Sequence, residues 1–283
     1  MVQIKNDFLN VEINPFGAEL YSIKNNSDYE YLWQGNPKVW SGRAPVLFPI
    51  VGGLMDDEFI YNGKAYKLEK HGFARLSDFE VELVQDEKAV FLLKNNDTLR
   101  KQYPFKFEFR VIFVLNKNNL EVEYRVTNTD DKDIYFSFGA HEAYSCTGGL
   151  KNYYVEFEKD ESLSRYFVTG NFINGDTKAL PMEGKKLYMN DEFFEDDAII
   201  LPDIASKKVW LKNIDNTHTI TVDYNGFKNL LIWTKPGAEY LCIEPWDGIP
   251  DFLGCGKEIE NKKDIVTLSK GKEYSLTHTI TFD

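Results

Sequence analysis

The sequence predicts an all-β fold of large antiparallel sheets with little helix, on three observations. Apolar and polar residues alternate with period two over much of the chain. Turn-forming residues recur at short intervals between these runs. No stretch keeps the three-and-four apolar spacing of an amphipathic helix for more than a turn or two.

Taken in order, Val2 and Ile4, then Leu9, Val11 and Ile13, open the chain as a pair of strands. Residues 17–23 follow, and Asn25-Asn26-Ser27-Asp28 forms a turn. Residues 29–34 read as a short aromatic strand. Residues 40–53 hold two prolines and three glycines, which excludes a long helix and makes a poor central strand. That segment suits a loop or edge laid beside a cleft. A hairpin over 59–66 turns at Asn62-Gly63. Phe79, Val81 and Leu83 alternate with Glu80 and Glu82, and residues 90–93 continue the sheet.

The clearest hairpin covers 107–126. Phe107, Phe109, Val111, Phe113 and Leu115 share one face, and Leu120, Val122, Tyr124 and Val126 line the inner face of its partner. Further strands are expected at 134–138, 153–157, 198–201, 209–211, 219–224 and 230–233, and in the alternating C-terminal run from Tyr274 to Phe282. Residues 97–103 and 191–196 each allow a turn or two of helix. Tyr240 to Ile243 form an apolar strand expected to stop at Pro245, which lacks a ladder donor and holds Glu244 extended. With no repeat, low-complexity tract or linker, residues 1–283 read as a single domain.

The 43% hydrophobic and 15% aromatic content supports a substantial core. A formal net charge of −12 argues against nucleic acid and anionic membranes as partners. The start has no basic and apolar leader pattern, and no apolar run reaches membrane-spanning length. Cys146, Cys242 and Cys255 lack metal-finger spacing and read as reduced thiols of a cytoplasmic protein.

Four histidines are candidates for chemistry. His141 follows a strand that ends at Gly139, and His71 precedes Gly72 in a loop; both are places where a scaffold holds functional groups. His218 sits in an expected exposed turn at 215–219, and His278 on the apolar face of the last strand reads as a packed core residue. Glu244, at the end of a buried strand and before Pro-Trp-Asp-Gly, is either a reactive carboxylate or a structural one paired with Arg or Lys. Trp40 and Trp246 are core aromatics by default. Two histidines and a glutamate fit a metal site or metal-free acid–base catalysis. The absence of His-x-His or His-x-x-x-His spacing weighs against metal.

Five blocks then stand out: Ala-Pro-Val-Leu-Phe-Pro-Ile-Val-Gly (44–52), His-Gly-Phe-Ala-Arg (71–75), Phe-Gly-Ala-His-Glu-Ala-Tyr (138–144), Trp-Thr-Lys-Pro-Gly-Ala (233–238) and Cys-Ile-Glu-Pro-Trp-Asp-Gly-Ile-Pro-Asp (242–251). In this order the chain resembles the aldose 1-epimerases of the galactose mutarotase superfamily, most closely the LacX-like branch. The resemblance implies a β-supersandwich with a sugar cleft on a concave sheet face, and interconversion of the anomers of a monosaccharide without a cofactor. It implies Glu244 as general base, His141 as general acid, and His71, Arg75 and Asp197 as sugar-binding residues, with Asp196 an alternative to Asp197. Arg43 and Trp246 are further binding candidates. Two positions depart from the family pattern: Gly53 stands where an arginine is common, and Glu142 follows His141 where proline is usual. A hexose 6-phosphate mutarotase and a non-catalytic sugar-binding protein are the competing readings. A monomer or homodimer is expected.

Overall fold

The computed structural model describes residues 1–215 and 217–283. Strands β1 (Val2–Lys5), β2 (Leu9–Asn14) and β3 (Glu19–Asn25) open the chain. A small hairpin, β4 (Glu58–Tyr61) and β5 (Lys64–Lys67), turns at Asn62-Gly63 as expected. Then come β6 (Glu80–Gln85), β7 (Lys88–Lys94) and the four-residue helix α1 (Leu99–Gln102). β8 (Phe107–Asn116) and β9 (Asn119–Asn128) form the long hairpin. β10 (Ile134–Phe136), β11 (Phe138–Gly139) and β12 (Glu142–Ser145) are short. They lead to β13 (Tyr153–Phe157), β14 (Ser164–Thr169), β15 (Phe172–Ala179) and β16 (Lys186–Tyr188). β17 (Ile199–Pro202), β18 (Lys208–Asn213), β19 (Thr219–Asp223), β20 (Asn229–Trp233) and β21 (Tyr240–Asp247) precede β22 (Val266–Leu268) and β23 (Glu273–Phe282).

Two large sheets dominate. A nine-stranded sheet runs β16-β13-β18-β19-β23-β9-β8-β7-β6, and a seven-stranded one runs β11-β21-β20-β17-β14-β15, with β12 also pairing β21. The period-two pattern explains the first. Alternate residues of β9 are buried, and cross-strand pairs such as Phe109–Val126 and Phe113–Val122 put apolar side chains on the same face. That face meets the second sheet across an aromatic core in which Phe48 stacks on Phe109 at 4.3 Å and Phe138 packs against Tyr124. His278 is buried in this core, as expected, and its Nε2 lies 3.0 Å from Glu142 Oε1, joining β23 of one sheet to β12 of the other.

Two expectations are corrected, and one hairpin was not expected. Residues 29–34 form only isolated bridges, Glu30 to Lys24 and Leu32 to Tyr144, because Glu30 turns its carboxylate onto the Ile23 and Leu32 amides in place of a ladder. β14 and β15 make a hairpin that the alternation does not reveal, since β14 does not alternate and β15 beyond Ile173 is made of polar or small, mostly exposed residues. His218 is not a free turn residue; its ring stacks on Tyr29 at 4.0 Å. Asn216, within that expected turn, lies outside the described residues. Among the described residues, no helix is long and apolar enough to cross a membrane. Cys146, Cys242 and Cys255 are free thiols.

Candidate active site

β21 does not stop at Pro245. It continues to Asp247, with Pro245 paired opposite Leu230 of β20. On its other side, Gly139 pairs with Trp246 and Glu142 with Ile243, so counting inward sets Ala140 opposite Pro245 and His141 opposite Glu244. Ala140 N–H donates to the Pro245 carbonyl, but proline has no N–H to return. The Trp246 indole N–H instead donates to the Ala140 carbonyl at 2.9 Å. The proline thus removes one ladder bond without ending the strand, and the indole replaces it. Gly139 is what lets the indole lie there: a Cβ at that position would sit 2.4 Å from Trp246 Cδ1.

The register brings His141 and Glu244 together as cross-strand neighbours. His141 Nδ1 lies 3.5 Å from Glu244 Oε1, and both side chains are nearly buried. They stand at one wall of a cleft of about 420 Å³. Residues 40–53 border it through Trp40, Pro45, Leu47 and Gly52, in keeping with a loop beside a cleft. His71, Lys70, Arg75, Asp197, Asn171 and Trp246 also line it. The imidazole of His141 is boxed by aromatic rings, stacked on Trp40 at 5.3 Å and edge-on to Trp233 at 5.7 Å. Trp246 is therefore both buried and a wall of the cleft, with His71 edge-on to it at 5.5 Å.

His71 has a left-handed backbone (φ 69°), which is uncommon for a residue with a side chain and is held by two contacts with Gly52. Its N–H donates to the Gly52 carbonyl, and its Nδ1 accepts from the Gly52 N–H at 3.1 Å. That second bond assigns the hydrogen of the neutral ring to Nε2. Asp197 is left-handed too (φ 69°). Buried Arg165 of β14 holds that corner by donating to the carbonyls of Phe193, Asp196, Asp197 and Ala198. Asp197 reaches the cleft, 4.0 Å from Lys70 Nζ, while Asp196 faces Arg165 with its carbonyl. Arg75 donates to the Lys70 carbonyl, and among the described residues its buried Nε has no hydrogen-bond partner.

Burial sets the electrostatics. It pushes the Glu244 carboxyl well above the usual range; Lys70 opposes this, whereas Asp197 and Glu142 add to it. Burial, with the charges of Lys70 and Arg75, brings His141 down to about 3. His71 falls well below its ordinary value through burial, then through His141, Lys70 and Arg75. The resting site therefore holds neutral imidazoles beside a carboxyl that resists ionisation.

The fold and these residues have counterparts among known proteins. A family model described as aldose 1-epimerase matches residues 1–281. The plasmid LacX protein of Lactococcus lactis subsp. lactis is 32% identical, with 98% of each chain covered. A galactose mutarotase related enzyme from Lactobacillus acidophilus superimposes with a TM-score of 0.94 at 35% identity, over 99% of this chain and 96% of that one. A galactose mutarotase-like protein from Lactobacillus casei gives a TM-score of 0.94 at 32% identity, with 100% of both chains covered.

This chain belongs to the aldose 1-epimerase family.

Its architecture is the galactose mutarotase-like β-supersandwich that the sequence blocks implied. Of the residues nominated from the sequence, Glu244, His141, His71, Arg75, Asp197 and Trp246 share the cleft. Arg43 does not. Its guanidinium lies over the Tyr21 ring at 3.5 Å and donates to the Tyr21 carbonyl and Gln34 Oε1 on the outer side of the loop. Two competing acceptors and an aromatic face account for that orientation. Lys70 and Asn171 are polar cleft residues that sequence reasoning missed, although Lys70 stands immediately before the His71 block.

Among the described residues, one set of side chains is close enough to bracket a metal: His141, Cys242 and Glu244, with ligand atoms within 4.8 Å of one another. Without an ion, these groups rest in their neutral forms. Burial pushes the Cys242 thiol well up, and the charges of Lys70 and Arg75 reach His141. A metal there would also occupy the imidazole and the carboxylate at once.

Proposed function

We propose that the protein is an aldose 1-epimerase acting on a free hexose, with Glu244 as general base and His141 as general acid. The observation that carries this reading is an imidazole and a carboxylate 3.5 Å apart at the wall of a sugar-sized cleft, Glu244 on β21 and His141 in the short gap between β11 and β12. Glu244 takes the proton of the anomeric hydroxyl, whose electron pair becomes the carbonyl bond as C1–O5 breaks. His141 delivers a proton to O5. Rotation about C1–C2 presents the other face of the aldehyde, and closure returns both protons. Each transfer contributes roughly 10²–10⁴-fold. His71, donating through Nε2, and Arg75 and Asp197 bind sugar oxygens. Trp246 and Trp40 offer aromatic faces to the apolar side of the ring.

Between them, the pair works with one proton. Burial keeps it on Glu244 at rest; hydroxyls of a bound sugar donate to the carboxylate, favour its ionised form and shift that proton to the imidazole. The pair takes a second proton only as His141 titrates, near pH 3. It loses its single proton as Glu244 titrates, above the ordinary carboxylate value of about 4.3. kcat/KM is therefore expected to fall on both sides, with the alkaline limb belonging to Glu244. A profile that climbs to a plateau at high pH would assign turnover to the deprotonated pair and overturn these roles.

Polarimetry or NMR exchange on freshly dissolved α-glucose and α-galactose tests the activity. Acceleration is expected, insensitive to chelators and lost in Glu244→Gln and His141→Asn. Saturable sugar binding without acceleration would favour the non-catalytic reading, and loss of activity on chelation the metal reading. Lys70 and Arg75 in the cleft support a second substrate, a hexose 6-phosphate. Running glucose 6-phosphate in parallel decides between a neutral and a phosphorylated sugar.

A further inference from the structure

Gly53 follows the cleft-lining Gly52, and the space its side chain would take is filled by Asn171, which lines the cleft. Its carbonyl accepts from Asp251 N–H at 3.0 Å, so this backbone is tied to the segment just beyond β21. An added Cβ at Gly53 would lie 2.6 Å from Asn171 Cβ and 3.1 Å from the Asn171 carbonyl oxygen. Such contacts force something to move. Gly53 has no left-handed φ, so the exclusion is steric rather than conformational.

Asn171 sits at the tip of the β14–β15 hairpin. Gly170 (φ 62°) and Asn171 form its two-residue turn, between the paired Thr169 and Phe172. Below the tip, the Ile173 N–H donates to the Asp251 carbonyl and the Leu253 N–H to the Ile173 carbonyl. The hairpin is thereby stitched to the same segment that holds Gly53. Asn171 lines the cleft together with Val168 of β14. Its amide supplies two donors and an acceptor without charge. The side chain that occupies this side of the cleft is neutral, whereas Lys70 and Arg75 carry the cleft's cationic charge.

We propose that Asn171 is the specificity-determining residue on the Gly53 side of the cleft, selecting a sugar edge that bears neutral hydroxyls. Gly53 and Asn171 act as one unit: the glycine admits the hairpin tip, and the amide on that tip meets the sugar. This rests on the epimerase reading above for its substrate class.

The test compares wild type, Asn171→Ala, Gly53→Arg and Gly53→Arg/Asn171→Gly on glucose, galactose and glucose 6-phosphate. Asn171→Ala is expected to raise KM for neutral hexoses by roughly two- to tenfold, the range of one lost hydrogen bond, with kcat unchanged. It should also narrow the preference between glucose and galactose. Gly53→Arg alone is expected to lower thermal stability and activity; removing the Asn171 side chain in the double variant should restore stability and shift preference toward the phosphorylated sugar. That non-additivity is the signature of the shared space. Unchanged KM and preference in Asn171→Ala, in a wild type that turns over, would overturn the inference. So would a Gly53→Arg variant as stable alone as in the pair. Equilibrium sugar binding is measured on the same four proteins. A wild type without turnover would defeat the epimerase reading, and Asn171 would then stand or fall on its effect on affinity.

Discussion

β9 and β21 are both central strands paired on two sides, yet they are built on opposite plans. β9 alternates buried and half-buried residues along its whole length, while all eight residues of β21 are buried. One face of β9 packs the core and the other meets solvent, so its charges, Glu121, Glu123 and Arg125, stand outward. β21 has the core behind it and cleft side chains in front. A strand covered on both faces has no solvated side for a charge. Glu244 and Asp247 are nevertheless there, each held above its usual pKa by burial. The contrast separates a strand whose residues are explained by folding from one that keeps ionisable groups against a folding cost.

Glu244→Gln is the sharpest way to press that contrast. Turnover is expected to fall by roughly 10²–10⁴-fold or more. Stability should move the other way. A carboxyl whose folded pKa is raised stabilises the fold below its unfolded value of about 4.3, and that contribution is lost as pH rises through the folded pKa. Gln carries no such loss. The Tm of Glu244→Gln is expected to overtake that of wild type as pH increases from about 4, which scanning calorimetry across pH would read. A variant less stable than wild type at neutral pH would mean that the carboxylate supports the fold.

Phe109→Ala tests the other plan. The ring is fully buried and stacked on Phe48. Its loss is expected to cost about 3–5 kcal/mol in denaturant unfolding while the folded fraction keeps its kcat. A large fall in kcat at full folding would show that the back of the sandwich also tunes the cleft.

The same difference decides what could be read from sequence. β8, β9 and β23 were legible because one wet face imposes alternation, and the Asn62-Gly63 turn because its backbone needs are specific. The β14–β15 hairpin was not legible: β15 beyond Ile173 buries little, so polar residues suffice there, and the hairpin's contribution to the cleft depends on a turn landing on Gly53. Pro245 misled for a related reason. Proline ends a ladder unless another donor serves the orphaned carbonyl, and here that donor is a side chain, the Trp246 indole. The blocks around His71, His141 and Glu244 named the histidine and carboxylate groups at the centre of the cleft. They could not place Arg43, whose direction is set by Tyr21 and Gln34, or single out Lys70 from the other lysines.

The smallest expected effect lies where the two plans meet. Glu142 follows His141 in sequence but faces the core, where its Oε1 bonds His278 of the nine-stranded sheet. Among the described residues, Glu142 Oε2 and His278 Nδ1 have no hydrogen-bond partner, so this link is only partly satisfied. Removing His278 leaves a buried carboxyl with no remaining side-chain bond, at a cost of about 1–3 kcal/mol for His278→Leu. Replacing both residues with apolar ones removes the stranded polar atoms together, and Glu142→Leu/His278→Leu is expected to be more stable than the sum of the single variants predicts. Denaturant unfolding of the four proteins closes this cycle. Additive losses would mean that the contact contributes nothing as a pair, and that the two sheets are held by the aromatic core alone.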